Sequence, residues 1–193
     1  MDVLSQRLTS YLKDNEKILW SGKPVKTPFM FWGLVSIPFG IIFIAISIFW
    51  IFMTPVSAAP FAMFSTIFLL IGLGIAFGPM LHRLLAYRNT EYVITDQRVI
   101  TQTGAIGLDT RFVDFEKIQE VYVTIGVVDR IFGTGGIRVV TAAGWIGRPM
   151  RWGPYGGISP MRPTLEALRN SYEVQKILQE AISKIRKNME SPI

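Results

Sequence analysis

The amino-acid sequence predicts a hairpin of two transmembrane helices joined to an α+β domain, in which a bent antiparallel sheet, or split barrel, is closed by one C-terminal helix. Three observations carry that expectation. No Asp, Glu, Lys, Arg or His occurs in the 55 residues from Thr27 to Leu81. Beyond residue 82 the chain breaks into short β-branched segments separated by glycine. Its end carries a single apolar stripe at helical spacing. The expected organisation is a cytoplasmic N-terminal segment (1–28), the hairpin (29–81, with spans 29–53 and 61–81) and the domain (82–193), its closing helix over about 170–188.

Two apolar runs, Phe29–Met53 and Phe61–Leu81, fill the charge-free stretch, and a linker with two prolines, Thr54–Pro60, separates them. Each run exceeds the roughly 20 residues a helix needs to cross about 30 Å of hydrocarbon. The linker allows only a tight reversal, so both ends emerge on one side. Helices apolar on every face would need complete cover in a soluble core, more than the rest of this chain can supply. The first run also starts too late, and is too long, for the roughly 7–15-residue apolar core of a cleavable signal. Lys17, Lys23 and Lys26 precede the first span, Arg83 and Arg88 follow the second, and the linker is uncharged. The positive-inside rule then places both termini of a multi-pass cell-membrane protein in the cytoplasm.

Trp32 and Trp50 are 18 residues apart. On one continuous helix that is about 27 Å, so both indoles are expected at the interfaces. Ser36 and Gly40 in the first span, and Gly74 and Gly78 in the second, form small-xxx-small pairs at similar depth, where the helices could approach closely. Pro38 and Pro79 each lack a backbone donor and are expected to kink or end their helices.

After the hairpin, residues 82–193 hold fifteen basic and eleven acidic side chains. Tyr92–Thr95 and Arg98–Thr103 flank Asp96-Gln97 as a strand hairpin. Arg111–Phe115 and Ile118–Ile125 read as further strands, with Val121, Val123 and Ile125 alternating onto one face. Gly133–Gly136 reads as a turn into a strand at Ile137–Thr141, and Met150–Trp152 as a weak strand. Val174, Ile177, Leu178, Ala181, Ile182 and Ile185 make the final apolar stripe. Asn170 and Glu173 suit a capping arrangement at its start, and Lys184, Arg186 and Lys187 suit the negative end of the helix dipole. Such a stripe must bury itself, and the curved sheet is the nearest surface.

The chemistry open to this chain is narrow. It has 193 residues, half of them apolar, a net charge of +6 and no cysteine; its pI is near 9.7 and its mean hydropathy +0.35. Disulfides, thiolate nucleophiles and Cys-based metal sites are excluded, and a lone histidine, His82, excludes multi-histidine ones. No catalytic residue, cofactor, metal or small-molecule substrate is expected. The glycines at 133–136 lead into a strand rather than a helix, so they are not a phosphate cradle. Asp109, Asp114, Glu116 and Glu120, interspersed with Arg111 and Lys117, read as a solvated sheet face. No recognition helix, zinc module or RNA-binding aromatic pattern accompanies the positive charge, so no nucleic-acid partner is expected. Arg148, Arg151 and Arg162 lie among Trp145, Met150, Trp152 and Tyr155, a mixture suited to lipid headgroups. The candidate membrane-interface contacts are Trp32, Trp50, Arg83, Arg148, Arg151 and Trp152.

Tyr92-Val-Ile-Thr-Asp-Gln-Arg-Val-Ile100, Gly104, Phe115-Glu-Lys-Ile-Gln-Glu-Val121, Arg130-Ile-Phe-Gly-Thr-Gly-Gly-Ile137 and Val139-Val-Thr141 resemble the bacterial and archaeal PH-like membrane proteins of the YdbS/YdbT type. Glu16-Lys-Ile-Leu-Trp-Ser-Gly-Lys-Pro24 ahead of a helical hairpin is similar to that family's layout. The resemblance covers roughly Glu16 to Thr141 plus the last helix, and departs between Gly144 and Pro163. It implies a PH-like domain held at the cytoplasmic leaflet as a non-enzymatic interaction or assembly module. Its partners would be the lipid bilayer and a second copy (a homo-oligomer) or another membrane protein. The alternatives are an accessory subunit of a larger membrane complex, or an anionic-lipid sensor. Only Arg98, beside Asp96, occupies the first strand hairpin, which does not support inositol-phosphate recognition.

Overall fold

A computed structural model describes residues 8, 10–13, 15–53, 59–141 and 164–190. The weak strand expected at Met150–Trp152, and Arg148 and Arg151 with it, lie outside the described residues. In chain order the elements are β1 (Ile18–Gly22), α1 (Lys26–Leu34), α2 (Ile37–Met53), α3 (Ala59–Arg88), β2 (Glu91–Thr95), β3 (Arg98–Thr103), β4 (Asp109–Asp114), a 3-10 turn (Phe115–Lys117), β5 (Ile118–Thr124), α4 (Val127–Phe132), β6 (Thr134–Thr141), β7 (Thr164–Arg169) and α5 (Ser171–Glu190).

The strands form two antiparallel sheets, a four-stranded one in the order β1-β2-β3-β4 and a three-stranded one in the order β5-β6-β7. Alternation decides which side chains face inward. Tyr92, Ile94 and Val99 from the first sheet, Ile118, Ile137, Val139, Leu165 and Leu168 from the second, and Phe115 from the 3-10 turn enclose one core. Helix α5 closes it with Val174, Leu178, Ala181 and Ile182, and Ile185 packs alongside. Leu178 is the centre of the stripe, whereas Ile177, expected within it, is only half-buried. Two side chains fasten the helix to β5: Gln175 donates to the Val121 carbonyl at 3.3 Å and Arg186 to the Ile118 carbonyl at 3.0 Å. Asn170 takes the left-handed conformation at the turn into α5, and its carbonyl, not its side chain, accepts from the Glu173 amide at 3.0 Å.

Strand β1 is the main difference from the expected organisation. The N-terminal segment is not separate from the domain: Trp20 stands opposite Ile94, Ser21 opposite Val93 and Gly22 opposite Tyr92. Both apolar helices are therefore the connection between two hydrogen-bonded neighbours of one sheet. Residues before β1 join in as well, because Leu8 and Leu12 cover the outer-face pair Val93 and Ile100. Strand β7 and helix α4 were also not expected. Leu165-Glu-Ala-Leu-Arg169 is composed of good helix formers, and pairing with β6 overrides that preference. Helix α4 has six residues, too few for a periodic signal.

The first apolar run is two helices. Pro38 has no N–H to offer the Leu34 carbonyl, and its ring would collide with that carbonyl in a continuous helix, so the chain turns at Val35-Ser36. The expected 27 Å separation of Trp32 and Trp50 assumed one helix; Trp32 is on α1 and Trp50 on α2, so that figure does not apply. Pro79, by contrast, does not end α3, which continues past Leu81 to Arg88 and so reaches the domain.

Candidate functional site

The candidate site is the place where the apolar hairpin meets the domain. Lys26–Met53 and Met63–Arg88 are each long and apolar enough to cross a membrane, and only 11% and 22% of their most apolar windows are buried. A hairpin forming the core of a soluble protein would be mostly covered. Here Phe39, Phe49, Phe52, Phe64, Leu70 and Phe77 all point outward.

What α2 and α3 do bury is small. Gly40 and Ser47 on α2 and Ser65, Gly72 and Ala76 on α3 are buried; Gly40 abuts Ala76, Gly72 abuts Phe43 and Ile44, and Gly33 on α1 abuts Met80. A Cβ added at Gly40 would lie 2.5 Å from the Ala76 Cβ and 2.6 Å from its Cα, closer than atoms can approach, so the backbones touch there because residue 40 has no side chain. The expected partners Gly74 and Gly78 are exposed, and a Cβ on either would meet nothing within 4 Å. Ser36 does not pack at this contact; its hydroxyl donates to the Gly33 carbonyl at 3.1 Å, an acceptor left over by the helix break. The close contact is instead between Gly40 and Ala76, on opposite helices, so spacing within one helix does not reveal it.

At its base the hairpin is locked to the second sheet. The Val25 amide donates to the Ala167 carbonyl at 2.7 Å, just ahead of α1. Ala167 adopts φ 52, left-handed for a residue with a Cβ, at an irregularity in the β6–β7 register. A bulge of this kind turns a carbonyl out of the ladder, and here it is turned toward the entering helix. Phe29, Ala86 and Ala167 form a small buried cluster with Tyr87 and Ala105 against them. The Arg83 guanidinium lies 5.0 Å from the Phe29 ring centre and 3.3 Å from the Glu166 carboxylate. Arg83, expected at the lipid interface, is thus shared between the helix base and β7. Next to it the Tyr92 hydroxyl accepts from the Glu166 amide at 3.1 Å; burial first, and the Glu166 charge second, push the Tyr92 phenol above its ordinary value.

The first sheet holds the other flank through a buried ion pair. Arg98 reaches Glu16 with two nitrogens, each at 2.9 Å, donates to the Tyr11 carbonyl at 2.8 Å and lies over the Phe112 ring at 4.8 Å. Glu16 also accepts from the Lys13 amide at 2.8 Å and the Thr95 hydroxyl at 2.7 Å. Burial alone would push this carboxyl up, but the hydrogen bonds from Arg98, Lys13 and Thr95, with the Arg98 charge, outweigh it and hold Glu16 below its ordinary value. Lys23 pairs with Glu91 at 2.8 Å where β1 and β2 meet the helices. The chain is therefore clamped on both sides of the hairpin. Sequence inspection missed Glu16 because its partner is 82 residues away.

Trp32 and Trp50 are both about half exposed, Trp50 edge-on to Phe49. Arg148, Arg151 and Trp152 lie outside the described residues. Gly133, expected in a turn, caps α4 in the left-handed conformation that a residue without a Cβ adopts freely. Among the described residues, no group of three or more His, Asp or Glu side chains is placed to hold a metal ion.

A family profile described as the bacterial PH domain matches residues 33–182, from inside α1 to the last turns of α5. Among solved structures, a DUF1696 family protein with a pleckstrin-homology domain from Shewanella loihica PV-4 is similar, at 13% identity and a TM-score of 0.33, over 58% of this chain and 92% of that one. No curated protein matches the chain.

Proposed function

The chain belongs to the bacterial PH domain family, and from that premise we propose that it is an integral membrane protein holding its PH-like domain against the cytoplasmic leaflet as a non-enzymatic assembly module. One observation carries this reading: the uncovered apolar hairpin leaves and re-enters a single sheet between the neighbouring strands β1 and β2. A domain interrupted in this way cannot drift from the spans as one on a flexible linker does. It is held at fixed height and orientation, which raises its effective concentration toward any partner in the same membrane. That partner is a second copy of this chain or another membrane protein, the latter making the chain an accessory subunit.

The lipid-sensor alternative draws less support from the geometry. Among the cations near the hairpin base and the first strand hairpin, Lys23, Arg83 and Arg98 are each engaged by a carboxylate of the domain, while Lys26, at the start of α1, is exposed. The test is the mass of the full chain extracted in mild detergent, with crosslinking in native membranes beforehand. A defined homo-oligomer, or a stoichiometric complex with one membrane protein, is expected. A monomer that crosslinks to nothing would refute the assembly role.

A further inference from the structure

Helix α4 has no role in the clamp, yet it carries the least-covered apolar pair of the domain's helices. Val128 points into the domain and is buried. Val127 and Ile131, four residues apart and so on one face, are 80% and 71% exposed. We propose that this face inserts at the headgroup–acyl boundary of the leaflet the hairpin enters, seating the domain on the bilayer at a second point. The inference rests on the reading that the hairpin spans a bilayer.

The position of α4 along the hairpin commits the proposal to lipid. The Phe132 ring lies 6.1 Å from the ring of Phe31 on α1. Phe31 is two residues beyond Phe29, about 3 Å farther along the helix and already inside the stretch without charge. Lys26 directly precedes that stretch and Arg83, whose guanidinium lies over Phe29, follows it, so the charges of both helices end within about a turn and a half of Phe31. Trp32, exposed beside Phe31, puts an indole at the same height, as interfacial tryptophans are placed. The Phe132–Phe31 contact thus sets α4 beside the start of the bare hairpin surface, with the exposed Ile131 adjacent to it in the chain. Arg130, exposed and without an ion-pair partner among the described residues, supplies a cation next to Ile131 that can reach a lipid phosphate.

The helix is also built as a rigid platform. The Asp129 carboxylate accepts from the Gly126 amide at 3.0 Å and from the Thr134 hydroxyl at 2.9 Å, tying together both ends of α4. Gly133 closes it with an N–H to the Asp129 carbonyl. Insertion therefore has little ordering entropy to overcome, unlike that of a mobile loop.

The absence of cysteine makes single-site probes available without background. Ile131→Cys and, independently, Val127→Cys would be labelled with an environment-sensitive fluorophore in the full chain. The carrier is a nanodisc of phosphatidylcholine and phosphatidylglycerol. Ile71→Cys in mid-span and Glu116→Cys on the exposed 3-10 turn are the references. Both α4 probes should be quenched by shallow nitroxide lipids, with iodide quenching roughly threefold or more below that at residue 116, as befits a depth of about 5–10 Å. If they behave like residue 116 while residue 71 remains lipid-quenched, the anchor is wrong and the spanning hairpin stands. Should residue 71 itself prove aqueous, both readings fall. Shielding of the α4 probes from lipid and iodide alike would mean that a second copy covers the face, which also overturns the proposal.

Discussion

Replacing Arg98 by Met tests whether the two flanks of the hairpin are clamped as described. The Glu16 side chain is fully covered and that of Arg98 is 10% exposed, so solvent cannot compensate for either. Glu16 accepts four hydrogen bonds; Arg98→Met removes the two charged donors at 2.9 Å and leaves only the Lys13 amide and the Thr95 hydroxyl. Two hydrogen bonds to a charged group are worth about 1.5–3 kcal/mol each, and breaking a buried pair on one side costs about 3–5 kcal/mol. The two routes agree, so a loss of about 3–5 kcal/mol is expected for the full chain in detergent, read from denaturant unfolding by tryptophan fluorescence. The double variant Glu16→Leu with Arg98→Met leaves no lone charge and should regain most of that loss. A single variant within about 1 kcal/mol of the parent would refute the reasoning, because surface ion pairs are worth no more than that.

Three further outcomes follow from the same geometry. The Glu16 carboxyl lies below its ordinary value of 4.5 when folded. Its stabilising contribution is thus complete above that value and is lost as pH falls through the folded pKa; a denaturation series across the acid range should show this slope, and Glu16→Gln should flatten it. Leu178→Ala empties the centre of the closing stripe, where the side chain is wholly buried, and should cost about 2–5 kcal/mol in the same unfolding assay. Gly40→Val should force α2 from α3 and lower stability in detergent by about 1–3 kcal/mol. Gly74→Val and Gly78→Val, where a Cβ meets nothing within 4 Å, should change it by no more than about 0.5 kcal/mol.

Elements that depend on local pattern were legible in the sequence. The strand hairpin around Asp96-Gln97, β4 to β6 within a few residues, and the amphipathic α5 all follow from period-2 or period-3.6 spacing. The missed elements depend on distant partners. Ile18–Gly22 is short and becomes a strand only because β2 returns beside it after both apolar helices. Leu165, Leu168 and Arg169 would suit a helix, and only pairing with β6 draws them into a ladder. Within the hairpin, composition marked both apolar runs, but small residues alone could not say which glycines touch. Every four-residue pair of them looks alike until the facing helix is placed, and there the partner of Gly40 is Ala76. The clamp was invisible for the same reason: Glu16 and Arg98 are unremarkable until the fold buries one carboxylate against one guanidinium.

Side-specific labelling of cysteine variants in intact cells tests the central claim most directly. Ser57→Cys lies in the linker between the two apolar helices and Lys187→Cys near the end of α5. A membrane-impermeant maleimide should label Ser57→Cys on intact cells and Lys187→Cys only after permeabilisation. Labelling of Lys187→Cys from outside, or equal behaviour of the two positions in a soluble fraction, would contradict a hairpin that crosses the membrane and returns to the sheet it left.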